Sequence, residues 1–304
     1  AGNPNGLKVA FQNSYVYLVR EGGPPDFAII NVSNPASPQL VGSLSLSGNP
    51  ANIFVFGNYA YVASSDNSQE LQIIDIINPA VPNLIGSFNT AGNANAQGVF
   101  ISGNFAYLVR DGGAGNEFVI INVANHASPT LVGSLALGQR IYEVVVLGNY
   151  AYLAGASNQP ELKVVNVTNP AAPTLATTLD LPGTYDAYSI AGLGSTIFLG
   201  RANNFLYTIN VANPLVPLQL GLYDAQGAVN DIAVSSSNNY AFLATAYANA
   251  ELQVINISSP TSPTLVGDFN ASGVLHGVAY DFTLDRAFSV GETDSEELIV
   301  VSPQ

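Results

Sequence analysis

Apolar and polar positions along this chain fall into short runs that return with a period near 45 residues. One period, Pro50 to Phe88, shows the plan. Asn52–Phe56 is short and largely apolar. Gly57-Asn58 suits a tight turn, because Gly and Asn reach positive φ at low cost. Tyr59–Ser64 reads YAYVAS, the alternation of a half-covered strand. Ser65–Glu70 is a polar loop. Leu71–Ile76 is a nearly continuous apolar run, as in a strand covered on both faces. Asn78-Pro79 opens a stiff connector to Pro82, which the prolines keep out of helix. Leu84–Phe88 is a fourth, short strand.

Other copies repeat these features. The second strand returns as YVYLVR (Tyr15–Arg20), FAYLVR (Phe105–Arg110), YAYLAG (Tyr150–Gly155) and YAFLAT (Tyr240–Thr245), and more loosely at Thr196–Arg201 and Arg286–Gly291. Lettered a to d outward, the strands number seven a, seven b and seven c, but only six d, starting near Leu40, Leu84, Leu131, Leu175, Gln219 and Leu265. Helical spacing is absent. Four antiparallel strands per period describe a propeller blade. The expected fold is all-β: one seven-bladed β-propeller over residues 1–304, with four-stranded blades and a three-stranded last blade. A continuation of the chain or a strand from a neighbouring subunit would complete that blade, since an open strand edge is a template for another strand.

The third strand and its connector, as in LQIIDIINPAVPNLIG at Leu71–Gly86 and LQVINISSPTSPTLVG at Leu252–Gly267, resemble the LVIVD-repeat family of secreted bacterial and archaeal β-propellers. LKVVN (Leu162–Asn166) and LIVV (Leu298–Val301) are weaker copies. Asn replaces the final Asp of the motif at Asn31, Asn122, Asn166, Asn210 and Asn256. The resemblance implies a propeller on or outside the cell surface. It implies no particular activity, because propellers host unrelated functions.

Composition narrows the function classes. A net charge of −14 with seven Lys and Arg argues against nucleic acid and anionic membranes. No stretch is long and apolar enough for membrane insertion. The chain has no Cys, so thiolate chemistry is excluded. It has no Met, even at position 1, which points to a processed or trimmed start at Ala1. Charged residues are only 9%. The surface must therefore be Asn, Ser, Thr, Gln, Gly and Tyr, which suits extracellular life, glycan contact or packing against copies of itself. Sequons occur at Asn31, Asn166, Asn256 and Asn270.

Acidic residues concentrate in the b–c loops. An acid directly precedes strand c at Asp26, Glu70, Glu117, Glu161, Glu251 and Glu297. The structural expectation pairs Asp26 with Arg20 and Glu117 with Arg110 as exposed ion pairs worth about 0–1 kcal/mol each. The functional alternative is Ca²⁺, which wants oxygen ligands. Its best candidate is GETDSEE, with Glu292, Asp294, Glu296 and Glu297, although a recognised Ca²⁺-loop spacing is missing. An axial site is the other candidate, where Tyr142, Glu143, Tyr188, Asp231 and His276 begin the inner strands. A His with two carboxylates could serve acid–base or metal chemistry, and the tyrosines could stack on sugar. G-x-S-x-G and P-loop motifs are absent.

The leading expectation is a non-catalytic extracellular scaffold without a cofactor. It would bind protein partners or copies of itself in a surface layer, matrix or filament, with strand addition at the last blade as one route. A glycan- or calcium-dependent adhesion module is the second reading, and an enzyme with an axial-funnel site the third.

Overall fold

The computed structural model describes residues 5–113, 115–156, 160–235, 239–292 and 298–302. Among them the chain forms six four-stranded antiparallel sheets and one three-stranded sheet, each with its strands in sequence order. There is no helix among the described residues. The fold is an all-β, seven-bladed propeller with a three-stranded last blade. The chain divides into two compact units, Ala1–Ile141 and Tyr142–Gln304.

Blade 2 realises the sequence pattern as strands a (Pro50–Phe56), b (Tyr59–Ser64), c (Leu71–Asp75) and d (Asn83–Phe88). Gly57 turns a into b at φ 61°. Strand c stops one residue short of the predicted Ile76, and the motif explains why. Asp75 Oδ1 accepts the N–H of Ile77, which turns the chain out of the sheet. The Ile76 N–H goes to the carbonyl of Asn58 instead. The same turn recurs at Asn31, Asn122, Asn166, Asn210 and Asn256, with N–H···Oδ1 distances of 2.8–2.9 Å. Only an acceptor oxygen is needed, and Asn and Asp both supply one. The Asp-to-Asn replacements therefore leave the turn intact.

Strands a, b and c carry the core, and neighbouring blades share it. Tyr61, Leu71 and Ile73 of blade 2 pack with Val99, Leu108 and Val119 of blade 3. In the second unit, Phe242 and Leu252 of blade 6 pack with Val278 and Ile299 of blade 7. Burying each such side chain is worth about 1.5–3 kcal/mol, so packing between blades contributes to the stability of each.

The glycine of the Pro-x-Leu-x-Gly stretch has a role that spacing alone does not reveal. A Cβ on Gly42 would run into the carbonyl oxygen of Pro79, in the connector of the next blade. Gly86 faces the carbonyl of His126 in the same way, and a Cβ on Gly221 would lie 2.7 Å from the carbonyl of Pro260. Each glycine thus lets the following connector lie against strand d.

His126 fills a proline slot and stacks on Tyr59, with ring centroids 3.7 Å apart. Burial pushes its imidazole below the ordinary 6.5, against a weaker opposing pull from Asp75. The unfolded chain therefore takes up this proton more readily than the folded one. The contribution of His126 to stability is complete above pH 6.5 and is lost as pH falls through the folded value. Urea melts taken from about pH 7 to about pH 5 should show this step, and His126→Pro should remove it.

Candidate functional site

Among the described residues, the acids before strand c are buried, and each is already engaged. Asp26 accepts the N–H of Leu46 at 3.1 Å, Glu70 that of Thr90 at 2.9 Å and Glu117 that of Leu137 at 2.6 Å. Glu161 accepts from Leu181 at 3.0 Å and Glu251 from Ala271 at 2.7 Å. The donor always lies 20 residues downstream, at or just past the end of strand d. There the chain leaves the sheet, and its N–H groups lose their ladder partners. The carboxylate supplies the acceptor and ties the b–c loop to the d–a loop of its own blade.

The expected pairing of Arg110 with Glu117 is corrected. The nearer carboxylate of Arg110 is Glu70 of the preceding blade, at 4.0 Å, with side chains 1% and 0% exposed. Arg201 pairs with Glu161 of its preceding blade at 2.5 Å, with side chains 0% and 2% exposed. These pairs are buried staples between blades, so the value for an exposed pair does not apply. Arg20 Nε donates to the carbonyl of Pro25, while the Asp26 carboxylate holds Leu46. The Arg201 guanidinium also donates to the carbonyls of Pro182 and Tyr185 and lies 5.3 Å from the Tyr207 ring centroid. Burial pulls the Arg110 guanidinium below its ordinary pKa, and Glu70, Glu117 and Asp111 oppose that shift.

Glu143 and Asp231 have a related task. Glu143 Oε2 accepts the N–H of Ile190, and Asp231 Oδ2 accepts that of Val278, each in strand a of the next blade. Ser189 Oγ donates to the carbonyl of Val229, and Asn230 Nδ2 to that of Leu275. Strand a is the edge of its sheet, so its outward backbone groups need partners. Side chains at the start of one strand a therefore sew it to the next. Tyr142 meets Tyr188 edge-on at 5.1 Å and donates its hydroxyl to Asp186 at 2.6 Å. His276 Nε2 lies 3.1 Å from Glu292.

The geometry thus links the axial candidate His276 to Glu292 of the calcium candidate. Asp294, Glu296 and Glu297 lie outside the described residues. No three His, Asp or Glu side chains gather as a metal-binding group among the described residues.

The axial candidates Tyr188 and His276 share a backbone feature with residues at the start of strand a in other blades. Leu7, Ala51, Gln97, Tyr188, Asn230 and His276 are the residues skipped where the a–b register shifts. Each is the extra residue of a β-bulge, a device that re-aims a side chain.

Sequence reasoning placed the outer strands but did not single them out as a candidate surface. Leu40, Leu84, Leu131, Leu175, Leu218 and Leu265 are 36–67% exposed, one on each strand d. These strands read QLVGSL, NLIGSF, TLVGSL, TLATTL, LQLGLYD and TLVGDF, with Asp224 and Asp268 as their only charges. The available signal was the near absence of charge in a strand next to solvent.

Comparison with known proteins agrees with this geometry. The LVIVD repeat model matches residues 7–45, 47–90, 93–136, 141–180 and 226–271. Among solved structures, the chain is similar to one titled Structure of U3-55K at 11% identity and a TM-score of 0.77, covering 100% of this chain and 97% of that one. The β-propeller domain of Myceliophteria thermophila Cps50 (Swd1) is also similar, at 11% identity and a TM-score of 0.76, with 100% and 98% covered. The computationally designed Ika8 protein gives 10% identity and a TM-score of 0.69, with 99% and 97% covered. At these identities the likeness concerns the fold alone. A search of curated proteins gave no match. Five matched repeats, on sheets with the strand order their pattern predicts, place this chain in the LVIVD-repeat family.

Proposed function

We propose that this β-propeller is a non-catalytic scaffold outside the cell, binding protein partners or copies of itself through the outer strands of its blades. The observation that carries the reading is the exposed leucine on each strand d, set in edge strands nearly free of charge. Edge strands are normally guarded by Lys, Pro or a cover, because they invite pairing with other chains. Six outer strands without Lys, Arg or Pro fit a molecule whose rim is meant to be in contact. The low charged fraction of 9% points the same way. Of the acids singled out for an axial site, Glu143 and Asp231 are occupied in holding strand a of the next blade, which favours a scaffold over an enzyme.

Sedimentation velocity and negative-stain imaging test the proposal. Concentration-dependent assemblies are expected. Leu84→Lys, Leu131→Lys and Leu175→Lys together should dissolve them with little change in melting temperature, because these side chains are exposed. A protein that stays monomeric at every concentration and captures no partner overturns the reading.

A further inference from the structure

We propose that the turn-and-connector end of blades 1–3 is a docking face for a second copy of this chain, centred on Phe56, Ile77 and Val81 of blade 2. The inference goes beyond the rim reading, because it uses a different surface. Phe56, Ile77 and Val81 are 52%, 62% and 67% exposed. They come together at one end of the blade. Phe56 closes strand a opposite Tyr59, and Tyr59 pairs in turn with Asp75, the last residue of strand c. Ile77 lies two residues on, where Asp75 Oδ1 accepts its N–H. Val81 follows in the same connector, and its N–H donates to the carbonyl of Asn78.

The turn itself does not require apolar residues here. At the place of Ile77, the other connectors carry Ser33, Ala124, Thr168, Ala212 and Ser258, each donating its N–H in the same kind of turn. At the place of Val81 they carry Ser37, Ser128, Ala172 and Ser262, with Val216 of blade 5 as the exception. Phe56 corresponds to Gln12 and Ser102 in the flanking blades, each the last residue of its a–b pairing. Blade 2 thus departs from its neighbours at three exposed positions of one end, each time toward an apolar side chain. An exposed apolar patch of this kind marks an interaction site.

Charge decides the occupant. Each copy carries a net −14, so two copies repel wherever their acids meet. In the unit Ala1–Ile141, the a–b turns (12–15, 56–59, 102–105) and the connectors (32–38, 76–82, 123–129) hold no Lys, Arg, Asp or Glu. Asp75, already tied to Ile77, is the charge beside them. The unit's other charged residues lie in the first half of strand a, at the end of strand b, or in the b–c and d–a loops. A basic or acidic partner finds no complement on this face. A second copy brings the same neutral face, and apolar burial then acts without charge repulsion. The face is also preorganised. Gln12 Nε2 donates to the Gly57 carbonyl at 2.6 Å, Phe54 packs on Phe100 at 4.8 Å, and His126 stacks on Tyr59 at 3.7 Å. Three blades therefore meet a partner as one surface with little left to order. The contact is isologous, with the same patch on both copies and Val81 facing its symmetry mate.

Sedimentation velocity and thiol cross-linking of the chain of residues 1–304 test the proposal. A concentration-dependent dimer is expected. It should tighten as NaCl is raised, because salt screens the repulsion between two negative bodies. Phe56→Gln, Ile77→Ser and Val81→Ser together give blade 2 the residues that blade 1 carries at these places, Gln12, Ser33 and Ser37. This variant should raise the dimer dissociation constant about tenfold or more. Its melting temperature should change little, since the three side chains are exposed. The chain has no Cys, so Val81→Cys should form an interchain disulfide on mild oxidation, whereas Asn67→Cys in the b–c loop at the other end of the blade should not. The proposal is overturned if the protein stays monomeric, if the triple variant pairs as tightly as its parent, or if Val81→Cys fails to cross-link. If the rim lysine variant abolishes all association and Val81→Cys does not cross-link, this inference falls and the rim reading stands. If cross-linked dimers form, nothing larger does, and the lysine variant pairs normally, the rim reading falls and this inference stands.

Discussion

Gly86→Ala is expected to destabilise the fold by about 1–3 kcal/mol, the usual range for overpacking, and toward its upper end. The added Cβ would meet the carbonyl oxygen of His126 and lie 3.2 Å from Ala127 Cα. Backbone on both sides is held, so no flexible side chain can give way. Gly42→Ala should behave alike, because its Cβ would meet the Pro79 carbonyl and lie 2.9 Å from Pro82 Cδ. Gly267→Ala is the internal control. Its backbone is not in the left-handed region and its space is open, so the change should be near neutral. Chemical denaturation of the three variants makes the comparison. Equal losses at Gly86 and Gly267 would mean that the glycine serves strand d itself and not the contact with the next blade.

Arg201→Met should cost about 3–5 kcal/mol, the range for removing one partner of a buried pair. The loss has two sources. Glu161 would keep its hydrogen bond from Leu181 but lose the cation 2.5 Å from its other oxygen. The carbonyls of Pro182 and Tyr185 would lose donors in a site where the arginine is fully buried. Adding Glu161→Gln should recover a substantial part, since the amide oxygen can still accept from Leu181 and no charge is then stranded. A double-mutant cycle on unfolding free energy measures the coupling. Additive losses would show that Arg201 stabilises through its backbone contacts alone. Arg110→Met should cost less through its acid, because Glu70 lies 4.0 Å away.

Much of the fold was legible because it depends on local rules repeated many times. Tyr59–Ser64 was read with its observed bounds, since alternation and a Gly-Asn turn mark both of its limits. The outer strands were placed one residue late. Asn83, Thr130, Thr174 and Thr264 open them as exposed polar residues, and an apolar pattern begins at the following Leu. Candidate chemistry was legible in residue type but not in purpose. Glu70 and Glu161 read as acids in polar loops, where solvent exposure is the ordinary expectation. Their burial depends on backbone N–H groups 20 residues away and on an arginine of the next blade. No local pattern encodes those partners.

By itself, the sequence determined the class of fold, the number of blades and the a–b turns. These follow from periodicity, proline connectors and Gly-Asn turns, which act over a few residues. The tertiary structure alone decided what the repeated glycine faces and which blade each arginine reaches. It also decided that Glu143 and Asp231 bind the backbone of the next strand a. Those facts concern residues about one repeat apart, joined only when blade packs on blade. A period in the sequence states that neighbouring repeats are alike, but their contacts are set by the geometry that brings unlike parts of them together.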